Sequence, residues 1–225
     1  MAQSQQSRHG TRPSNTGCRG VFAVRAIRMV PAIMFMVSCL GLAGDGQSIG
    51  EPIQLSDRVG ADEAYMGVRL RGALRLRPVP GLDELSALAW DEDEQILYAL
   101  SDNGRLLHLR PVFQGSRLVD ALLLRVLVLL DPRGKPLAGH SRDSEGLALE
   151  NGANGIRGDS RLLISFERRN RIDRYTPDGH WDSKVALPRV LKARGTYRSR
   201  NEGLEAVTLH PEFGVLTGPE HFGDG

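Results

Sequence analysis

From Gly50 onward, apolar residues recur mostly at every second position. In residues 66–77, Met66, Val68, Leu70, Leu74 and Leu76 fall on one face and Arg69, Arg71, Arg75 and Arg77 on the other. That spacing predicts one half-buried strand, closed by Pro78 and Pro80. Short apolar runs follow at 85–90, 95–100 and 105–109, separated by Asp91-Glu92-Asp93-Glu94 and by Asp102-Asn103-Gly104, the pattern of a meander with tight turns. Residues 118–130 form a longer apolar segment, in which Val119, Val126, Val128 and the closing Asp131-Pro132-Arg133-Gly134 favour a strand over a helix. The cycle restarts at 146–149, 162–166 and 172–175, with Thr176-Pro177-Asp178-Gly179 as a turn, and a third cycle begins at 203–209 and 214–217. Long helical periodicity is absent past residue 50, so the predicted class is all-β.

The cycles carry a repeated motif. Asp143-Ser144-Glu145-Gly146-Leu147-Ala148-Leu149 returns as Asn201-Glu202-Gly203-Leu204-Glu205-Ala206-Val207, and Glu84-Leu85-Ser86-Ala87-Leu88-Ala89-Trp90 is a weaker echo. The anchor leucines 88, 147 and 204 lie 59 and 57 residues apart, a period of about 58 that points to propeller-like blades. Residues 51–225 hold about three such units, the third ending after its second strand. A propeller needs four to eight blades. The expectation is therefore an incomplete ring: a fragment, a shortened reading frame, or a domain completed by another chain.

Composition changes this picture mainly at the N-terminus. The chain of 225 residues is 40% hydrophobic, enough for a core. Its net charge of +2 is uneven: residues 1–50 carry five arginines against Asp45, leaving 24 basic and 26 acidic residues beyond them. No basic footprint for nucleic acid is left on the repeats. Residues 1–50 divide into a polar start and, behind Arg25 and Arg28, the uncharged segment 29–44, which has the form of an export signal and is too short for a spanning helix. Gly41-Leu42-Ala43 suits plain secretion to the periplasm or exterior, whereas Met36-Val37-Ser38-Cys39 resembles a lipoprotein box that would anchor Cys39 to a membrane. The only cysteines, Cys18 and Cys39, precede the repeats, which excludes a disulfide framework or thiolate metal site there.

Candidate chemistry lies in the acids. Each unit places one after its second strand, Asp102, Glu167 and Glu220, and the motifs add Asp143, Glu145, Glu202 and Glu205. Equivalent blade positions converge on a propeller axis, and converging carboxylates repel unless a cation or shared protons neutralise them. The set therefore suits a hard oxygen-liganded metal such as calcium, with Asp102, Glu145, Glu202 and Glu220 as ligands, or general acid/base work. The competing reading is structural: acids close turns, as in Asp102-Asn103-Gly104, and Glu167 has Arg168 beside it for an ion pair. Arg168, Arg169, Arg171 and Arg174 would grip a phosphate or guard a strand edge. Gly139-His140-Ser141-Arg142-Asp143 starts like a nucleophile elbow but has Asp where Gly is required. His108, His140, His180, His210 and His221 show no ligand spacing and are expected at the surface or in turns.

Three ordered segments, 143–148, 163–172 (Leu-Ile-Ser-Phe-Glu-Arg-Arg-Asn-Arg-Ile) and 201–206, resemble the bacterial phytase-like domain described as having esterase-like activity. The resemblance covers roughly Gly67 to Glu220 and implies an exported propeller-like domain whose recurring acids serve phosphoester hydrolysis. It assigns Asp143, Glu145, Glu167, Glu202 and Glu205 to metal binding or acid/base roles, and Arg168, with Arg171, to a small phosphate-ester substrate. Two alternatives stay open: a non-catalytic envelope scaffold, and a calcium-dependent lactonase-type hydrolase.

Overall fold

The computed structural model describes residues 46–221, apart from 59, 61 and 200. The export segment 29–44 and Cys39 lie outside the described residues. Strands come in the order β1 (Gln47–Ser48), β2 (Gly50–Pro52), β3 (Ala64–Tyr65), β4 (Val68–Arg69), β5 (Leu74–Leu76), β6 (Leu85–Asp91), β7 (Ile96–Ser101), β8 (Arg105–Gln114), β9 (Arg117–Val128), β10 (Ser144–Glu150), β11 (Arg161–Phe166), β12 (Arg171–Tyr175), β13 (Trp181–Lys184), β14 (Leu204–His210) and β15 (Gly214–Pro219). Among the described residues the one α-helical turn is α1 (Arg189–Lys192). The all-β, propeller-like expectation holds.

Strands β6 to β9 form a meander that β1 extends beyond β9, β10 to β13 form a second, and β14–β15 begin a third. The first strands of the units lie side by side, β10 packed against both β6 and β14, as the innermost strands of propeller blades do. Their residues alternate in size. Ala87 and Ala89 of β6 meet Leu147 and Leu149 of β10 in one core cluster, and Ala148 of β10 meets Val207 and Leu209 of β14 in another. Small side chains on one unit thus receive large ones from the next.

Two sequence expectations are corrected. Residues 66–77 do not form one strand: Met66 and Gly67 turn with φ of 49° and 81°, so β3 and β4 pair as a small hairpin and β5 pairs with β2. Met66 and Val68 are consequently 86% and 73% exposed, since alternation alone does not reveal a reversal of direction. The repeat register also shifts. Each first strand begins with a bulge after the pairs Leu85↔Ser101, Ser144↔Phe166 and Leu204↔Pro219, which makes Glu205, and not Glu202, the counterpart of Glu145. Val207 then matches Leu147, and Leu88, expected in the core, is 57% exposed.

At Gly146 the second and third units come close together. Its N–H donates to Ser165 Oγ (2.9 Å), and that hydroxyl donates onward to the carbonyl of Glu205 on β14 (3.3 Å). The joint to the first unit is similar: buried Ser144 donates through Oγ to the Ser101 carbonyl at 2.7 Å.

Candidate active site

In an antiparallel pair, the start of the first strand lies beside the end of the second. Asp143 and Glu145 at the start of β10 therefore sit next to Glu167 after β11, as Glu205 in the β14 bulge sits next to Glu220 after β15. Because β10 stands between β6 and β14, these ends gather at one edge of the stack. Asp143, Glu145 and Glu167 can bring one carboxylate oxygen each within 4.8 Å of one another, and so can Glu167, Glu205 and Glu220. Glu167, 3% exposed, belongs to both triads. Acidic groups able to hold a metal ion are thus present. Glu202 is in neither triad, and its Oε2 is buried without a partner.

Burial and the carboxylates of Glu205 and Asp143 push the Glu145 acid up to about 7, against a weaker opposing hydrogen bond from Ser86. Burial, then Asp143, Glu145 and Glu205, and a hydrogen bond shared with Asp143 push Glu167 up to about 7 as well. Glu205 is raised by burial, Glu220 and Asp143, and Asp102 by burial, Glu84, Asp143 and Asp83. Asp102 does not close its own turn: Ser101 Oγ accepts from the Asn103 N–H (3.2 Å), while Asp102 Oδ1 is buried with no partner.

A raised carboxyl favours the native state below its unfolded value of 4.5 and loses that contribution as pH climbs through about 7, because the native state then holds protons the unfolded chain has released. Metal-free protein should therefore melt roughly 5 °C lower at pH 8 than at pH 5, measured by calorimetry in chelator. A flat profile over this range would contradict the clustering of these acids.

The arginines divide. Arg168 pairs with Asp143, not with Glu167: Nε lies 2.8 Å from Asp143 Oδ2, and its N–H is aimed at Asn201 Oδ1, also at 2.8 Å. Its Nη1 reaches His140 Nδ1 at 3.3 Å; since a guanidinium only donates, Nδ1 is the acceptor and Nε2 the ring's donor in this contact. Arg168, Arg169, His140, Asn170, Tyr197, Ser199 and Asn201 line a cavity of about 340 Å³. Arg169, part of the basic run expected to grip a phosphate, does line it, whereas sequence reasoning missed His140 and Asn201, the first because its failed elbow motif drew attention to Ser141. Arg171 faces elsewhere. It binds buried Asp173 (Nε to Oδ2, 2.7 Å), donates to the Ser141 carbonyl (2.6 Å) and stacks 3.5 Å above Phe166, so its donors are engaged in the fold. Arg174 grips Glu150 with two bonds of 2.8 and 2.9 Å. Replacing Arg171 by Met keeps the bulk over Phe166 but strands the Asp173 charge, and is expected to cost about 2 kcal/mol in urea unfolding. His108, expected at the surface, is 4% exposed on β8, where its Nε2 bonds the Pro177 carbonyl at 2.9 Å and burial holds its pKa down.

No curated protein and no solved structure matches the chain. A model of the phytase-like family, described as esterase-like activity of phytase, matches residues 80–221. That span contains all three units, every acid of the two triads and the arginine-lined cavity. With well over half of its length matched, and with β meanders stacked as that family's propellers require, the chain belongs to the phytase-like family of esterase-like hydrolases.

Proposed function

We propose that the domain hydrolyses small phosphate esters at the boundary between the arginine-lined cavity and the acid cluster. The observation that carries this reading is the Arg168–Asp143 pair, which joins a cavity of donors to a set of carboxylates. Arg168, Arg169 and the Nε2–H of His140 match the acceptor oxygens of a phosphate, and the forked guanidinium suits bidentate capture. Glu145 and Glu167, held near neutrality, are poised for proton transfer: one as the acid that protonates a leaving alkoxide, the other as the base that takes a proton from attacking water. Asp143 holds Arg168 in place.

The donors of the two triads are all carboxylate oxygens, and the orphaned Asp102 Oδ1 lies at the rim, a set suited to calcium. Asp143, Glu145, Glu167, Glu205 and Glu220 would hold it as ionised carboxylates, as the alternative to proton transfer by Glu145 and Glu167, and the ion would supply positive charge beside the phosphate. An exported chain would meet calcium at the concentrations such a site needs, in keeping with the signal-like segment 29–44.

The test is turnover of a generic phosphodiester and of phytate by the full chain, with calcium and with chelator. Arg168→Ala should lower kcat/KM by about 10- to 100-fold through loss of a charged contact to phosphate. Lactone turnover without phosphoester turnover would overturn the substrate assignment. Absence of both, with no calcium-dependent rise in melting temperature, would favour a scaffold.

A further inference from the structure

A second cavity, of about 670 Å³, lies between the first and second units at the far end of β11 from the acid cluster. β11 begins at this cavity with Arg161 and ends beside Glu167, so roughly 20 Å of strand separates the two places. The cavity shares no residue with the acid triads or with the arginine-lined cavity. One wall is Ile96 and Tyr98 of β7 with His108 of β8, and the other is Ser160 with the turn from Thr176 to His180. Bonds across the gap hold the walls in place. His108 Nε2 donates to the Pro177 carbonyl at 2.9 Å, Arg125 pairs with Asp178 at 2.6 Å, and Ser160 Oγ donates to the buried Asp91 at 2.6 Å.

The groups left free define what the cavity can take. Each charged side chain lining it is already engaged: Arg125 with Asp178, Glu94 with Arg157 at 2.9 Å, and Arg161 with the carbonyls of Asp159 and Ser160 and, at 3.9 Å, with Asp182. No unpaired charge therefore remains to select a phosphate or an ammonium, in contrast to the cavity of Arg168 and Arg169. The free polar groups are neutral. A carbonyl only accepts, so His108 Nε2 is the donor to Pro177 and Nδ1 is left as an acceptor, with no partner among the described residues. Burial keeps that ring from charging. Thr176 Oγ1 also lacks a partner, and His180 stands exposed at the rim. Between these groups Ile96, Leu124 and Pro177 present carbon surface, and Tyr98, 1% exposed, meets His108 edge to face at 4.9 Å.

We propose that this cavity binds a neutral, polyhydroxylated molecule of sugar size. Such a ligand both donates and accepts without carrying charge, and its C–H faces match the apolar surface between the polar groups. A few fixed polar groups on an otherwise apolar wall, at the joint of two packed units, is the usual composition of a small-molecule site. The site goes beyond the phosphoester reading and stands without it, because binding here needs no residue of that centre.

Saturation-transfer NMR on the full chain should show saturable binding of maltose or of myo-inositol with a Kd of about 1 mM, and inorganic phosphate should displace neither. His108→Phe keeps a ring against Tyr98 but removes Nδ1, and should weaken binding about 10-fold. Since this buried position also holds Pro177, His180→Ala at the exposed rim is the second variant: it should weaken binding roughly 3-fold with an unchanged melting temperature. No saturable signal from either polyol below about 50 mM overturns the proposal. So does competition by phosphate, which would mean a charged ligand, and so does binding that both histidine variants leave intact, which would place it elsewhere.

Discussion

Glu167→Gln is expected to lower phosphoester turnover by about 1000-fold and, in the same protein, to raise the melting temperature of the metal-free form at pH 8 by roughly 3 °C. The two effects have one origin. Glu167 is 3% exposed and faces Asp143, Glu145 and Glu205, so above its raised value near 7 it is a buried charge among like charges. Glutamine has the same shape without the charge, and its amide can donate toward Asp143 Oδ2, which has no aligned hydrogen bond. The gain should be absent at pH 5, where the native Glu167 is already protonated, and should open as pH rises through 7. Glutamine can neither exchange the proton nor serve as a charged ligand. Calorimetry at pH 5 and pH 8 in chelator, beside the turnover assay, separates the two consequences. Full activity in this variant would remove Glu167 from the chemistry.

Gly146→Val is expected to destabilise the domain by at least about 3 kcal/mol in urea unfolding. A Cβ at this position would lie 2.5 Å from Ser165 Oγ, 2.7 Å from Val207 N and 2.8 Å from Glu205 O. The serine can rotate away, but only by giving up its bonds to Gly146 and Glu205. The other two atoms are backbone of β14, so the third unit itself must move outward. Gly218→Ala is the matched control: nothing lies within 4 Å of its Cβ position and its φ is not positive, so it should be near neutral. Equal losses at the two sites would mean that the close approach of β10 and β14 does not limit stability.

Parts of this site were legible before any coordinates. Acids after the second strands were visible as a regularity in the unit, and the antiparallel hairpin turns that regularity into proximity: Asp143, Glu145, Glu167, Glu205 and Glu220 do gather at one end. Glu202 was misplaced in register, because Glu-Gly-Leu recurs as letters while the bulge that sets side-chain direction falls three residues later in the third unit. Arg171 looked equivalent to Arg168 because the two are three residues apart in one basic run. Asp173, its ion-pair partner, lies two residues on along the same strand and is buried beneath the half-buried arginine.

What the chain determines by itself is therefore local and periodic. Alternation with β-branched residues and turns every few positions dictates antiparallel meanders, since no other backbone buries every second side chain, and the interval of about 58 residues dictates their repetition. Tertiary structure alone decides which charges meet. Arg168 passes over its neighbour Glu167 to pair with Asp143, His140 is drawn into the cavity from a turn between units, and Glu145 and Glu167 rise to about 7 only because separate strands deliver their carboxyls to one buried edge. Coulomb energy and desolvation depend on distance and burial in space, and neither is a function of separation along the chain.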